Sequence, residues 1–422
     1  MEKVSVIDDS ETTKLNKVDQ YIRKKVLQQL SGIKSGQLII HDGIETLELG
    51  EKKNNDLTIN VWVKKFSFYT QIATHGSIGA AESYMADEWH TDNLTSLVQL
   101  LVRNRDLLDD MEGGTAWIKN AILKFWHRLN KNNQQGSRKN IAAHYDLGNE
   151  FFSLFLDKHL MYSSAIYTEE ANTLEQASEL KLRTICEKLQ LTSNDHLIEI
   201  GTGWGGLAIY AAQNYGCKVT TTTISEQQYQ FAAKRVEALS LNEKITLLKE
   251  DYRNLTGQYD KLVSIEMIEA VGHHYLDTYI SKCNRLLKDD GLALIQAITI
   301  EDHRYDQALS SVDFIKRYIF PGSFIPSVST IVNSMKATGD FRLINLEDFG
   351  ESYAKTLHDW RRAFLDNLDS VREQGFSESF IKMWEFYLCY CEGGFMEKAI
   401  SDVHLLIAKP SNKRSQWLSL QH

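Results

Sequence analysis

The chain has no uncharged apolar run of roughly 18 residues or more, the length a bilayer-spanning helix needs. Its start, Met1-Glu2-Lys3-Val4-Ser5-Val6-Ile7-Asp8-Asp9, lacks the basic-then-apolar order of a secretory signal, so none is expected. Basic charge is not in surplus either: 47 Lys and Arg stand against 56 Asp and Glu, a formal net charge of -9. With no global positive field, nucleic acid is not an expected partner, and any anionic surface must be met by a local patch. Cysteine is scarce and odd in number. Cys186, Cys217, Cys283, Cys389 and Cys391 read as reduced thiols of a cytoplasmic protein. Cys389-Tyr390-Cys391 is too close-set for the usual zinc spacing, and no second pair or histidine cluster completes it, so no metal site is expected. Internal repeats are absent as well.

What is present fits a soluble globular enzyme: 43% hydrophobic and 24% charged residues in a chain of 422, long enough for two or three compact units. Residues 1 to about 30 are polar, with Val18, Tyr21, Ile22, Val26 and Leu30 at the spacing of a short amphipathic helix. Gln37–His41, a turn at Asp42-Gly43, Leu57–Val63 and Phe66–Tyr69 suggest a small antiparallel sheet covered by helices near 80–103. Trp117, Ile118, Ala121, Ile122, Phe125, Trp126 and Leu129 then recur at helical spacing, with Lys119, Lys124, Arg128 and Lys131 on other faces. Such a helix either lies on an anionic membrane surface or docks between domains. The polar run Asn130–Ser137 reads as a linker. The chain therefore divides into an α+β domain over 1–136, a catalytic domain over 137–410 and a polar tail over 411–422.

Beyond the linker, strands and helices alternate, which implies a parallel α/β sheet. The expected strands are His196–Ile200, Lys218–Thr223, Ile245–Leu248, Lys261–Ile265, Leu292–Ala297, Phe341–Leu346 and Val403–Ala408. Leu207–Asn214 and Glu226–Leu239 are helices between them. Residues 302–338 and 356–396 are helix-rich inserts placed to cover a substrate cavity.

The strongest local signal is Leu197-Ile198-Glu199-Ile200-Gly201-Thr202-Gly203-Trp204-Gly205-Gly206, an apolar strand running into a glycine turn and a helix. A Gly-x-Gly turn alone is shared with dinucleotide-binding folds. Roughly 20 residues on, however, where an NAD enzyme keeps an acid for the ribose, stand Thr221-Thr222-Thr223-Ile224-Ser225. Glu199 before the first glycine suits a cationic amino-acid moiety better than a pyrophosphate. S-adenosylmethionine carries an ammonium and a sulfonium and no phosphate, and is the expected cofactor.

Further motifs agree in order with one family. They are His144–Asn149, Met161-Tyr162-Ser163, the Glu199–Gly206 loop, Thr223-Ile224-Ser225 with Gln228, and Asp251-Tyr252-Arg253. Then follow Ser264-Ile265-Glu266-Met267-Ile268-Glu269-Ala270-Val271-Gly272, Tyr318–Gly322, Tyr353–Leu357 and Tyr387–Phe395. From about 139 to 410 the chain resembles the cyclopropane fatty acid synthase family, which includes the mycolic acid cyclopropane synthases. The resemblance implies a Rossmann-like α/β methyltransferase sheet with helical inserts. It assigns Tyr162, Ser163, Glu199, Gly201, Gly203, Thr223, Gln228, Tyr252 and Ile265 to the cofactor. It sets Glu269, Tyr353 and Cys391 toward the reacting carbon, with Ser164, Gln296 and Ile298 beside them. It also implies bicarbonate as the bound base, and a membrane phospholipid with an unsaturated acyl chain as substrate. The protein is then expected at the inner face of the membrane, with a homodimer as a further expectation.

Two positions depart from the family's pattern: Ser164 stands where a cysteine is common, and Gln296 where many members carry a histidine. Both side chains still hydrogen-bond an oxyanion, but the imidazole that shares a proton near neutral pH is lost. The expected reaction is ring formation across a cis double bond. Its rivals are C-methylation giving a methyl- or methylene-branched chain, and a lipid-binding protein without catalysis. Each residue also has an ordinary role open to it: Glu269 as a helix cap or a partner of Arg253 or His273, Cys391 as a buried thiol, Tyr353 as packing.

Overall fold

The computed structural model describes residues 16–53, 56–107 and 147–413. The expected basic amphipathic helix over Trp117–Lys131, the linker, the boundary near 136, His144–Asp146 and most of the polar tail lie outside these residues. The described chain forms two compact units. One takes residues up to 107 together with 311–318 and 365–399; the other takes 147–310, 319–364 and 400–413. The stretch expected as one catalytic domain is thus shared between two units.

In the first unit, α1 (Lys17–Leu30) starts at Asn16, whose side chain accepts from the Asp19 N–H at 2.9 Å. A four-stranded sheet follows in the order β2 (Thr46–Glu51), β1 (Gly36–His41), β3 (Thr58–Val63), β4 (Trp89–Thr91). It is mixed, not antiparallel as expected: β1 runs antiparallel to β2 but parallel to β3. Phe66–Tyr69, read as a strand from its aromatics, instead leads into α2 (Ser67–Met85). Tertiary packing overrides β propensity there, because Tyr69 is buried and its hydroxyl donates to Asp42 at 2.7 Å. The helix Glu378–Met396 belongs to this unit through α3 (Leu94–Arg103), with Thr95 donating to Glu392 at 3.0 Å and Gln99 to Glu397 at 2.8 Å. No helix among the described residues is long and apolar enough to cross a membrane.

The second unit is built on α4 (Leu174–Lys188), β5 (His196–Ile200), α5 (Gly206–Tyr215), β6 (Lys218–Thr222), α6 (Glu226–Ala238), β7 (Ile245–Leu248) and β8 (Tyr259–Ile265). It continues through α7 (Leu276–Leu286), β9 (Leu287–Ile300), α8 (Val328–Thr338), β10 (Arg342–Asp348), α9 (Gly350–Asp366) and β11 (Ile400–Ala408). The sheet order is β10-β11-β9-β8-β5-β6-β7. Neighbours from β9 to β7 are parallel, while β11 is inserted antiparallel between β9 and β10. Both faces are covered, and alternate residues of one strand serve opposite cores. Ala293, Ile295 and Ala297 of β9 pack with α7 and α8; Leu292 and Leu294 pack with α4 and α5. Functional groups collect where β5, β8 and β9 end, the usual ligand edge of an open α/β sheet.

Candidate active site

β5 delivers the chain into the turn at Gly201–Gly206. Gly201, Gly203 and Gly205 have φ of 105°, 53° and 86°, a region that L side chains enter at a cost of roughly 1–2 kcal/mol. The turn is pinned to the next strand, Gly201 and Thr202 donating their N–H to Thr222 O at 3.1 and 3.0 Å. A Cβ on Gly203 would meet nothing within 4 Å, so the turn keeps open space in front of its backbone. Trp204 Nε1 donates to Asn149, the last residue of the expected motif, at 2.7 Å, which ties the turn to that residue. Just past β6, Thr223 Oγ1 donates to Gln228 Oε1 at 2.9 Å at the start of α6. Tyr252 is buried and its hydroxyl has no partner. These features fit S-adenosylmethionine: a glycine cradle that a side chain would fill, and a buried hydroxyl awaiting an acceptor. Glu199 is buried too, accepting from Thr221 Oγ1 at 2.5 Å, and burial pushes its carboxyl up to about 8.

The end of β8 lies against this turn. Ser264 Oγ donates to Ile200 O at 3.0 Å, and a Cβ on Gly201 would stand 3.4 Å from Met267. Three residues past Glu266, Glu269 lies in the first turn of the short helix Ile268–Val271. Its Oε1 accepts the Ile298 N–H at 2.6 Å, while its Oε2 is buried without a partner. Burial, then the nearby Glu266, pushes the Glu269 carboxyl up to about 8. The structure therefore joins Glu269 to Ile298, two of the expected residues. Arg253, an alternative partner, is held by Asp251 at 2.7 Å instead.

Tyr353, Ser164 and Gln296 also come together, around a residue that the sequence analysis quotes in a motif but does not assign. Glu266 Oε2 accepts from the Tyr353 hydroxyl at 2.6 Å. Its Oε1 accepts from the Ser164 N–H and from Gln296 Nε2, both at 2.8 Å. Gln296 Nε2 donates as well to Asp402 Oδ2 at 2.8 Å, and His404 reaches the amide oxygen at 3.3 Å. Burial raises Glu266 despite its donors, and holds Asp402 well above the carboxylate range. Lys181, fully buried and pushed down to about 8, donates to Ser163 Oγ at 2.6 Å and supplies nearby positive charge. Asp402 and Lys181 carry no spacing signal in the sequence. For Glu266 the signal was a second acid three residues before Glu269.

Bicarbonate does not fit this constellation. Ser164 and Gln296, the two residues expected to hydrogen-bond it, direct the Ser164 N–H and the Gln296 amide at Glu266, as does the Tyr353 hydroxyl, and Ile298 directs its N–H at Glu269. Aromatic rings line the same region: Tyr162 stacks on Trp360 at 5.3 Å, and Tyr353 meets Trp360 edge-on at 6.2 Å. Cys391 is not part of this unit; it lies in the helix Glu378–Met396 with its thiol raised by burial.

Residues 132–405 match the family described as mycolic acid cyclopropane synthetase. The cyclopropane-fatty-acyl-phospholipid synthase of Escherichia coli is 36% identical over 351 residues, 82% of this chain and 87% of that protein. Tuberculostearic acid methyltransferase UfaA1 of Mycobacterium tuberculosis is 35% identical over 332 residues, 77% of each. The solved mycolic acid cyclopropane synthase CmaA1 in complex with SAH and CTAB superposes with a TM-score of 0.60 at 28% identity, over 64% of this chain and 98% of that one. The chain belongs to the mycolic acid cyclopropane synthetase family and is an S-adenosylmethionine-dependent methyltransferase.

Proposed function

We propose that the protein adds a methylene across a cis double bond of a membrane phospholipid acyl chain, releasing S-adenosylhomocysteine. When bound, S-adenosylmethionine supplies an electrophilic methyl on a positively charged sulfur. The chain's residues do the rest. The Gly201–Gly206 turn, packed against the end of β8, would hold the donor there, and because the alkene is a weak nucleophile such positioning supplies much of the rate. The faces of Tyr162, Tyr353 and Trp360 stabilise the carbocation left on the acyl chain. A buried acid cluster then takes a proton from the new carbon, and the ring closes. The observation that carries the reading is the placement of Glu266 and Glu269, hydrogen-bonded by Tyr353, Ser164, Gln296 and Ile298, beside the glycine turn.

A second reading keeps the first step and ends in a methyl- or methylene-branched chain. Similarity to a tuberculostearic acid methyltransferase over 77% of the chain favours it, as does Gln296 in place of the family's histidine. The test is expression in a host with monounsaturated lipids, followed by mass spectrometry and proton NMR of the fatty acids. Upfield cyclopropane protons support ring closure. A mass increased by one CH2 without them establishes the branched product, and lipids left unmodified overturn both readings.

A further inference from the structure

We propose that Glu266 supplies from within the chain the carboxylate that accepts the proton of the newly transferred carbon, so that the enzyme works without bicarbonate. This rests on the proposed function above, and four observations carry it. First, the donors that would cradle an external oxyanion are already spent: Tyr353 Oη at 2.6 Å, Ser164 N at 2.8 Å and Gln296 Nε2 at 2.8 Å all point at Glu266. Second, the carboxylate is left with room for one proton. Each carboxylate oxygen offers two acceptor positions; Oε1 is filled by Ser164 N and Gln296 Nε2, whereas Oε2 takes the tyrosine, with the Asp402 carboxyl hydrogen-bonded to the same side chain.

Third, Glu266 is held where an ordinary residue resists being held. Its φ is +46°, in the left-handed region that disfavours L side chains, and such outliers persist where the surroundings over-determine them, often at functional sites. The neighbouring Glu266 N–H donates to Gln296 O at 2.9 Å, so backbone and side chain are both tied to β9. Fourth, the local charge leaves little place for another anion. Glu266, Glu269 and Asp402 are already clustered, with Lys181 the buried cation that offsets them. Three donors favour the ionised form of Glu266, and Glu269 and Asp402 keep their protons. Burial raises Glu266 as well, which strengthens it as an acceptor.

The step balances without a co-reactant. A C–H bond of the transferred carbon breaks, its electron pair forms the carbon–carbon bond that closes the ring, and the proton goes to Glu266 Oε2. The sulfur has already left with the electrons of its own broken bond.

Full-length protein is assayed for product in CO2-free buffer, with and without added bicarbonate, and separately titrated with [13C]bicarbonate by NMR. Wild type is expected to turn over equally in both buffers and to leave the bicarbonate line unbroadened. Glu266→Ala loses at least ~100-fold in CO2-free buffer, recovers with bicarbonate or formate, and broadens the line. Glu266→Gln keeps the shape of the side chain but cannot take a proton, and loses turnover while binding S-adenosylmethionine like wild type. That variant decides the matter if the alanine protein fails to fold. Wild-type activity that climbs with bicarbonate, a broadened wild-type line, or full activity of Glu266→Gln overturns the proposal. Absence of wild-type turnover in either buffer would overturn the proposed function instead, and the NMR titration would still judge Glu266.

Discussion

Glu269 and Glu266 sit on one short stretch of chain, yet the structure surrounds them differently. Glu266 has three donors and Glu269 has one, so the shared negative charge settles on Glu266 while Glu269 holds its proton up to about pH 8. Turnover should therefore fall as pH rises through about 8, where a second charge is forced on the pair. Glu269→Gln is neutral at every pH and keeps an acceptor for the Ile298 N–H. Its pH–rate profile is expected to lose that basic limb. If the limb persists, Lys181, also near 8, is the group that titrates. Part of this was legible in sequence: of the residues assigned beside Glu269, Tyr353, Ser164 and Gln296 hydrogen-bond Glu266 and Ile298 hydrogen-bonds Glu269, whereas Cys391 lies in the other unit. Asp402 and Lys181 were not, because each reaches the cluster from a distant element, and no local spacing encodes such a meeting.

Among the elements, the strands of the large sheet were the easiest to read, because burial on both faces writes them as short apolar runs. His196–Ile200 and Ile245–Leu248 have the same bounds in sequence and structure. In the small sheet, β2 is half-exposed and carries a mixed Thr-Leu-Glu-Leu-Gly-Glu pattern, and β4 has three residues; neither gives a signal of its own. The turn between β1 and β2 is where this unit is tied together. Asp42, fully buried, accepts from Arg23 Nε of α1 at 2.6 Å and from the Tyr69 hydroxyl of α2 at 2.7 Å. Burial alone would raise Asp42, but Arg23 and Tyr69 outweigh it and hold the carboxyl low. Arg23→Leu removes the countercharge and leaves the carboxylate buried, and should cost about 3–5 kcal/mol in denaturant unfolding. A loss below about 1 kcal/mol would mean that Asp42 simply takes up a proton or water.

At the scale of the molecule, buried titratable groups set how stability varies with pH. Glu199 and Glu269, raised from the usual 4.5 to about 8, bind protons in the folded chain that the unfolded chain has released. They therefore lower stability as pH rises toward 8. The buried histidines, such as His404, act with the opposite sign, but only below their usual 6.5. Between 6.5 and about 8 the acids dominate, Lys181 acting against them only from about 8 upward, so the melting temperature should fall across that window. Glu199→Gln should lessen the fall, by a stabilisation on the order of a few kcal/mol at pH 8 relative to wild type. An unaltered slope in thermal melts would show that Glu199 ionises freely.

The strand β11 comes late in the chain but lies between β9 and β10, and it carries Asp402 and His404. A growing polypeptide on the ribosome thus exposes an unsatisfied apolar edge on β9 until residue 400 and beyond have emerged. Pairings over such long separations form slowly and invite capture by chaperones or by other nascent chains. On the proposed function the acid cluster is completed only when Asp402 joins the sheet, so a product that terminates before residue 400 is expected to leave lipid unmethylated.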